Sequence, residues 1–362
     1  MEKDLDLKLE CLAIGSLPNK DVESAMRIVK ENFPRIPFWP QLAKLNKNED
    51  MIFQCIENLP GLILNNDNGE KIYLDNESDE FFEQLETFFM DYEEIIAEPN
   101  SELIEKYNIS ENNSSTFRPF IEIVKETKPK FAKGQICGPF TLATTLVDKE
   151  GKCAFYDETL REIILKMLSL KSLWQIKQIK QASPETTPII FIDEPSMSQL
   201  GTSAFITISR DEVVQIISEV SNIIKENGAI SAIHCCGKCD WSLPVDCGID
   251  MINLDGYAFA QNLSLFSNEL KPFLQKGGKI VWGIVPTLDK DALEGANIDL
   301  LVDKFDEAIN YLVKKGIDKS LIIENSLVSP SCGAGSLTIE LAQKAMDLVK
   351  ELSLKLKGKY KR

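Results

Sequence analysis

The sole histidine of this 362-residue chain, His234, stands in Ile233-His234-Cys235-Cys236-Gly237 at the end of an apolar, β-branched run. Residues two apart on a strand point to one side, so His234 and Cys236 share a space while Cys235 faces the helices behind. Cys332, in Ser329-Pro330-Ser331-Cys332-Gly333, also follows an apolar run, and the glycine after it permits a tight turn. One imidazole and two thiols make an N-S-S set with a fourth tetrahedral position open, the donor set of a catalytic rather than a structural zinc. The same residues also suit a packed histidine beside buried thiols. A third reading places Cys236 and Cys239 in a Cys-x-x-Cys pair of a zinc ribbon or iron-sulfur cluster, for which the sequence lacks a second pair. A single histidine excludes any mechanism that needs two imidazoles from one chain. Cys11, Cys55, Cys137, Cys153 and Cys247 are scattered singly and read as small buried apolar residues.

For distant residues such as Cys236 and Cys332 to meet, the elements carrying them must converge. Eight apolar runs end in unusual clusters: Leu9–Gly15, Ile36–Leu42, Lys133–Phe140, Thr187–Ile192, Ala229–Ile233, Asp250–Leu254, Lys279–Val285 and Ser320–Glu324. Helical stretches lie between them; Asp211–Asn227 and Phe305–Lys315 carry apolar residues at helical spacing with charges opposite. Strands alternating with helices predict a parallel sheet, and eight units predict a (β/α)8 TIM barrel forming a single catalytic domain over residues 1–362. In that architecture reactive groups sit where strands end, which would gather these clusters on one face. Residues 44–132 break the rhythm, being longer than a βα unit of roughly 30 residues. They are expected to form an excursion inserted between the second and third strand units, with a hairpin around Asn65-Asn66-Asp67-Asn68-Gly69, an acidic helical run at Ser78–Glu98 and a polar segment at Ser110–Thr116. Such an insertion could cover one side of the mouth or be a plain structural elaboration.

Composition narrows the partners. With 44% hydrophobic and 27% charged residues the chain can bury a sizeable core, and disorder is excluded. A net charge of −16 repels phosphate backbones and anionic headgroups, so neither nucleic acid nor membrane is expected as a partner. The chain shows no apolar run of membrane-spanning length and no signal-like start, and nine cysteines without a disulfide framework suit a cytoplasmic location. The basic end, Lys355 to Arg362, reads as a solvated tail.

Taken in order, Ile14-Gly15-Ser16-Leu17-Pro18, Ile192-Asp193-Glu194-Pro195, His234-Cys235-Cys236 and Ser329-Pro330-Ser331-Cys332-Gly333 resemble the motifs of the C-terminal half of cobalamin-independent methionine synthase. The resemblance runs from about Leu12 to Gly335 and is weakest in the excursion. It implies membership of the superfamily shared with uroporphyrinogen decarboxylase and zinc-dependent corrinoid methyltransferases. It makes His234, Cys236 and Cys332 the zinc ligands, and puts Asp255 where the family carries a further acidic ligand, a glutamate. It also implies that the backbone of Ile14, Gly15 and Ser16 holds the carboxylate of homocysteine and that Asp193 pairs with its amino group. The family's other amino-binding glutamate has no clear counterpart; Gln41 stands in its neighbourhood.

Two departures shape the expected activity. No residues remain for the second barrel that helps the folate-dependent enzymes hold methyltetrahydrofolate, so the expected donor is a methylated corrinoid, either methylcobalamin or a corrinoid protein. Few arginines precede Arg161 and none stands at the first run's exit, which disfavours gripping the propionates of a porphyrinogen. The expectation is therefore a zinc-dependent methyltransferase acting on homocysteine or another small thiol, giving methionine in the first case. Methyl transfer to coenzyme M, transfer from methyltetrahydrofolate, and a non-catalytic zinc-carrying or corrinoid-protein docking module are the alternatives.

Overall fold

The computed structural model describes residues 6–65 and 71–361. Two short strands, β1 (Leu62–Asn65) and β2 (Lys71–Leu74), pair antiparallel as the excursion's hairpin. Most of the turn expected between them lies outside the described residues. A curled, parallel six-stranded sheet then runs in chain order: β3 (Phe131–Cys137), β4 (Thr187–Asp193), β5 (Ile230–Cys235), β6 (Met251–Leu254), β7 (Lys279–Val285) and β8 (Ser326–Pro330). Nearly every residue in these strands is buried, as helices covering a parallel sheet require, which is why they read as continuous apolar runs rather than alternating ones.

The first two runs expected as strands make isolated parallel bridges instead of ladders: Cys11 to Val328, Ser16 to Gln41 and Phe38 to Lys133. Pro37 and Pro40 each remove a backbone donor, and Leu9 takes a left-handed φ of 55°, so neither segment can sustain a regular ladder. They still carry backbone bonds between the sheet's two edges. Leu12 donates to the Val328 carbonyl (3.1 Å), Leu17 to Gln41 (3.0 Å), Gln41 to Gly15 (3.1 Å) and Lys133 to Pro37 (2.8 Å). Leu12, Ile36, Phe131, Phe191, Ala232, Met251, Val281 and Leu327, drawn from both segments and all six strands, form one buried apolar cluster.

A second correction falls at the last run. Ser320–Glu324 is not a strand but part of the helix Lys319–Glu324, and the strand follows it as β8. Asp318 caps that helix, its carboxylate accepting from the Ser320 and Leu321 amides, and a short apolar run has no period that separates helix from strand. The expected helices at Asp211–Asn227 and Phe305–Lys315 correspond to Arg210–Glu226 and Ile298–Val313, which start earlier and end one and two residues sooner. Ser209 and Glu212 close a capping box on the former.

In the excursion the acidic run forms the helix Asp79–Ala97, capped by Ser78. The long helix Glu158–Ala182 is buried on nearly all sides, because the excursion lies over its outer face: Lys171 donates to the Asn108 carbonyl, Lys177 to Ser101, and the Trp174 indole to Glu105. The excursion also reaches the second segment: the Gln41 amide donates to Gln54 (2.7 Å), the Leu42 amide to Glu49 (3.2 Å) and the Thr116 hydroxyl to the Pro40 carbonyl. No helix among the described residues is long and apolar enough to cross a membrane.

Candidate metal centre

β5 delivers His234 and the loop after it Cys236; the loop after β8 delivers Cys332. One ligand atom from each lies within 4.8 Å of those of the other two. Cys235, the intervening residue, is fully buried on the other face and interacts with the Cys239 thiol, so Cys239 belongs to the packing behind the strand. The pleat therefore separates the two thiol pairs: Cys236 with Cys332 in front, Cys235 with Cys239 behind.

The histidine's orientation is set by β6. Asn253 lies beside His234 in the sheet register, and its Oδ1 is 2.6 Å from His234 Nδ1. Its Nδ2 donates to the Val281 carbonyl (2.8 Å) and to Ser329 Oγ (2.9 Å). A carbonyl can only accept, so the amide can be placed only one way round, and Oδ1 must receive the proton of Nδ1. The neutral imidazole then carries its lone pair on Nε2, which is buried without a hydrogen bond of ordinary geometry, its electrostatic partner being the Cys236 sulfur. A buried, unpartnered Nε2 beside two sulfurs fits a metal, and its partner on the other ring nitrogen is the support metal-binding histidines usually have.

Without metal the same groups share protons. Cys236 is held well below the usual thiol range, first by a hydrogen bond from Cys332 and then by His234, while Cys332 is pushed up by that same contact and by burial. Burial pulls His234 down, but the Cys236 contact and the charge of Asp193 outweigh it and leave it raised. A thiolate already favoured at Cys236 lowers the proton cost of metal binding.

Asp193 ends β4 beside His234 in the register. Its Oδ1 is buried with no hydrogen-bond partner, and burial raises its carboxyl against the opposing charges of Lys133 and His234. Glu194, the next residue, faces the other way: it accepts from the Phe140 and Thr141 amides (both 2.9 Å) and the Thr141 hydroxyl (2.6 Å), fastening the helix Pro139–Thr145. A side chain at Gly138 would meet that carboxylate at 2.1 Å, so only glycine fits there.

Asp255 stands outside the cluster of three. It caps the helix Gly256–Leu263, Oδ1 accepting from the Ala258 amide (2.8 Å), and burial lifts its carboxyl to about 6. Ser16 joins the first segment to the loop of Cys332: its carbonyl accepts from the Ala334 amide (2.9 Å) and its hydroxyl from Gly335 (3.3 Å). A Cβ at Gly333 would come within 2.1 Å of that hydroxyl. Ile14 and Gly15 lie in the same segment, where the Ile14 carbonyl accepts from Lys133 and the Gly15 carbonyl from Gln41. Sequence reasoning missed Asn253 and Lys133. Asn253 stands two residues before Asp255, and the period of two that pairs His234 with Cys236 would have put it on the inner face.

No family model matches this sequence, and no curated protein does. Among solved structures it is similar to a Cellulomonas fimi endo-beta-1,4-mannanase double mutant, at 14% identity and a TM-score of 0.38, covering 72% of this chain and 62% of that one. The present chain thus spans less than two thirds of that protein's length.

Proposed function

We propose that this chain is a zinc-dependent methyltransferase that moves a methyl group from a methylated corrinoid to the thiol of homocysteine, giving methionine. On this reading the six strands and the two bridging segments are the eight staves of a (β/α)8 barrel like the C-terminal half of cobalamin-independent methionine synthase. The observation that carries it is the grouping of His234, Cys236 and Cys332, with ligand atoms within 4.8 Å of one another, beside a buried Asp193 oxygen that has no partner.

His234 through Nε2 and the sulfurs of Cys236 and Cys332 would hold the zinc, whose chemistry is to keep a fourth ligand, the substrate thiol, deprotonated near neutral pH. The thiolates of Cys236 and Cys332 would cancel the charge of such a dication, so that a substrate sulfur bound to it would keep its nucleophilicity. Asn253 holds the imidazole in the required tautomer. Asp193 offers a carboxylate oxygen to the substrate ammonium, and burial strengthens that attraction. The thiol proton leaves to solvent, the sulfur forms a bond to the methyl carbon, and the methyl–cobalt bond breaks with its electron pair staying on cobalt. Asp193 also favours homocysteine over coenzyme M, whose sulfonate has no ammonium to pair with.

The deciding experiment incubates zinc-loaded protein with methylcobalamin and a panel of thiols and follows demethylation in the visible spectrum. Homocysteine should be the fastest acceptor. Failure of every thiol to demethylate methylcobalamin would sink the enzyme reading and leave a docking or zinc-carrying module.

A further inference from the structure

Lys133 is a charged side chain that the metal reading leaves unused. It lies on β3, is fully buried, and stands level with Ile189, four residues before Asp193 on the neighbouring strand. All three ammonium donors are engaged: one to the Ile14 carbonyl, one to Gln135 Oε1 (2.8 Å), and one toward the face of Phe191, 4.6 Å from the ring centroid. Gln135 in turn donates to the Trp39 carbonyl (3.0 Å). A single lysine thus grips the first extended segment directly and the second through Gln135. These are the two segments that lack strand ladders and are short of backbone bonds. A buried cation is costly unless its charge is answered, and the opposite charge acting on it is Asp193.

We infer that Lys133 is a positioning residue of the substrate pocket, tying the Ile14–Ser16 backbone in place and placing its positive charge on the strand beside that of Asp193. The tether continues past Ser16, whose carbonyl and hydroxyl hold Ala334 and Gly335 just beyond Cys332. Lys133 therefore acts on the ammonium-binding carboxylate through its charge and on the Ile14–Ser16 backbone through a hydrogen bond, without touching substrate itself.

The substrate arm of this inference rests on the homocysteine reading; the structural arm does not. Two variants separate tether from charge. Lys133→Met removes both, and Lys133→Gln keeps a donor but no charge. In hydrogen exchange, the Leu17 and Gln41 amides should open about tenfold faster in the Met variant and less in the Gln variant, with β5 amides as the internal reference. In kinetics, both variants should raise KM for homocysteine about tenfold, against at most about threefold for a thiol without ammonium or carboxylate. Unaltered exchange at Leu17 and Gln41 in the Met variant overturns the tether. Equal losses for the two thiols overturn the link to Asp193 and leave a merely structural lysine. A wild-type protein that methylates no thiol defeats the functional reading alone, since the exchange result still decides the tether. If the Met variant does not fold, the Gln variant carries both readouts, and exchange at Leu17 and Gln41 no faster than wild type then overturns the tether.

Discussion

Asn253 and His234, neighbours in the register of β5 and β6, form a 2.6 Å hydrogen bond that leaves only Nε2 of the imidazole free. Because the Asn253 amide nitrogen is committed to Val281 and Ser329, this bond has one polarity. Asn253→Leu should weaken zinc binding by about 10–100-fold, the usual effect of removing such a support, while high zinc still fills the site. Competition against a chromophoric chelator measures it, and an unchanged affinity would remove Asn253 from the site's design.

The metal set itself is checked by elemental analysis. The purified protein should hold about one zinc per chain, lost in Cys332→Ala and His234→Ala and kept in Cys235→Ala. Asp255→Asn should also keep its zinc, since asparagine caps Ala258 as aspartate does. Loss of metal in that variant would return Asp255 to the ligand set that the family resemblance implies. An iron-dependent brown colour would favour a cluster on Cys236 and Cys239 instead.

Substrate selection is expected to fall on Asp193. Asp193→Asn keeps the shape and removes the charge, and truncating a buried charge pair costs on the order of 2–5 kcal/mol. That loss should appear with homocysteine and be much smaller with a thiol that has no amino group, at normal zinc content. Equal losses would mean that Asp193 supports the fold or the metal, and that another thiol is the substrate.

The buried lysine also makes stability depend on pH in a defined direction. Burial lowers Lys133 from 10.5 to about 8, so the native state releases this proton before the unfolded chain does. Between those values the unfolded state binds more protons, and the lysine's contribution to stability therefore rises with pH. The difference in unfolding free energy between wild type and Lys133→Met should move in favour of wild type from pH 8 to 10.5, by at most about 3 kcal/mol. Denaturant titrations at a series of pH values measure it, and a flat difference would contradict the burial of a protonated amine.

Local rules made part of this protein legible from its residues alone. The two-residue period of a strand puts His234 and Cys236 on one face and Cys235 on the other, whatever else the chain does. The Asp193-Glu194 pair follows the same rule, one carboxylate on the side of His234 and Cys236 and the next fastening the helix Pro139–Thr145. Capping residues such as Ser209 and Asp318 announce helix starts, although the short helix after Asp318 reads as a strand until its cap is weighed. What tertiary structure decided are relationships between positions far apart in the chain, which depend on strand register and on how the sheet curls. Cys332 meets Cys236 only because β8 and β5 bring their C-terminal ends to one side. Asn253 meets His234 because parallel register sets them level, and Lys133 meets the Ile14 carbonyl by reaching past the second segment, which is the one bridged to β3. The irregularity of the first two segments was also decided there: proline and a left-handed leucine deny them a ladder, so side chains such as Lys133 and Gln135 supply the bonds that backbone could not.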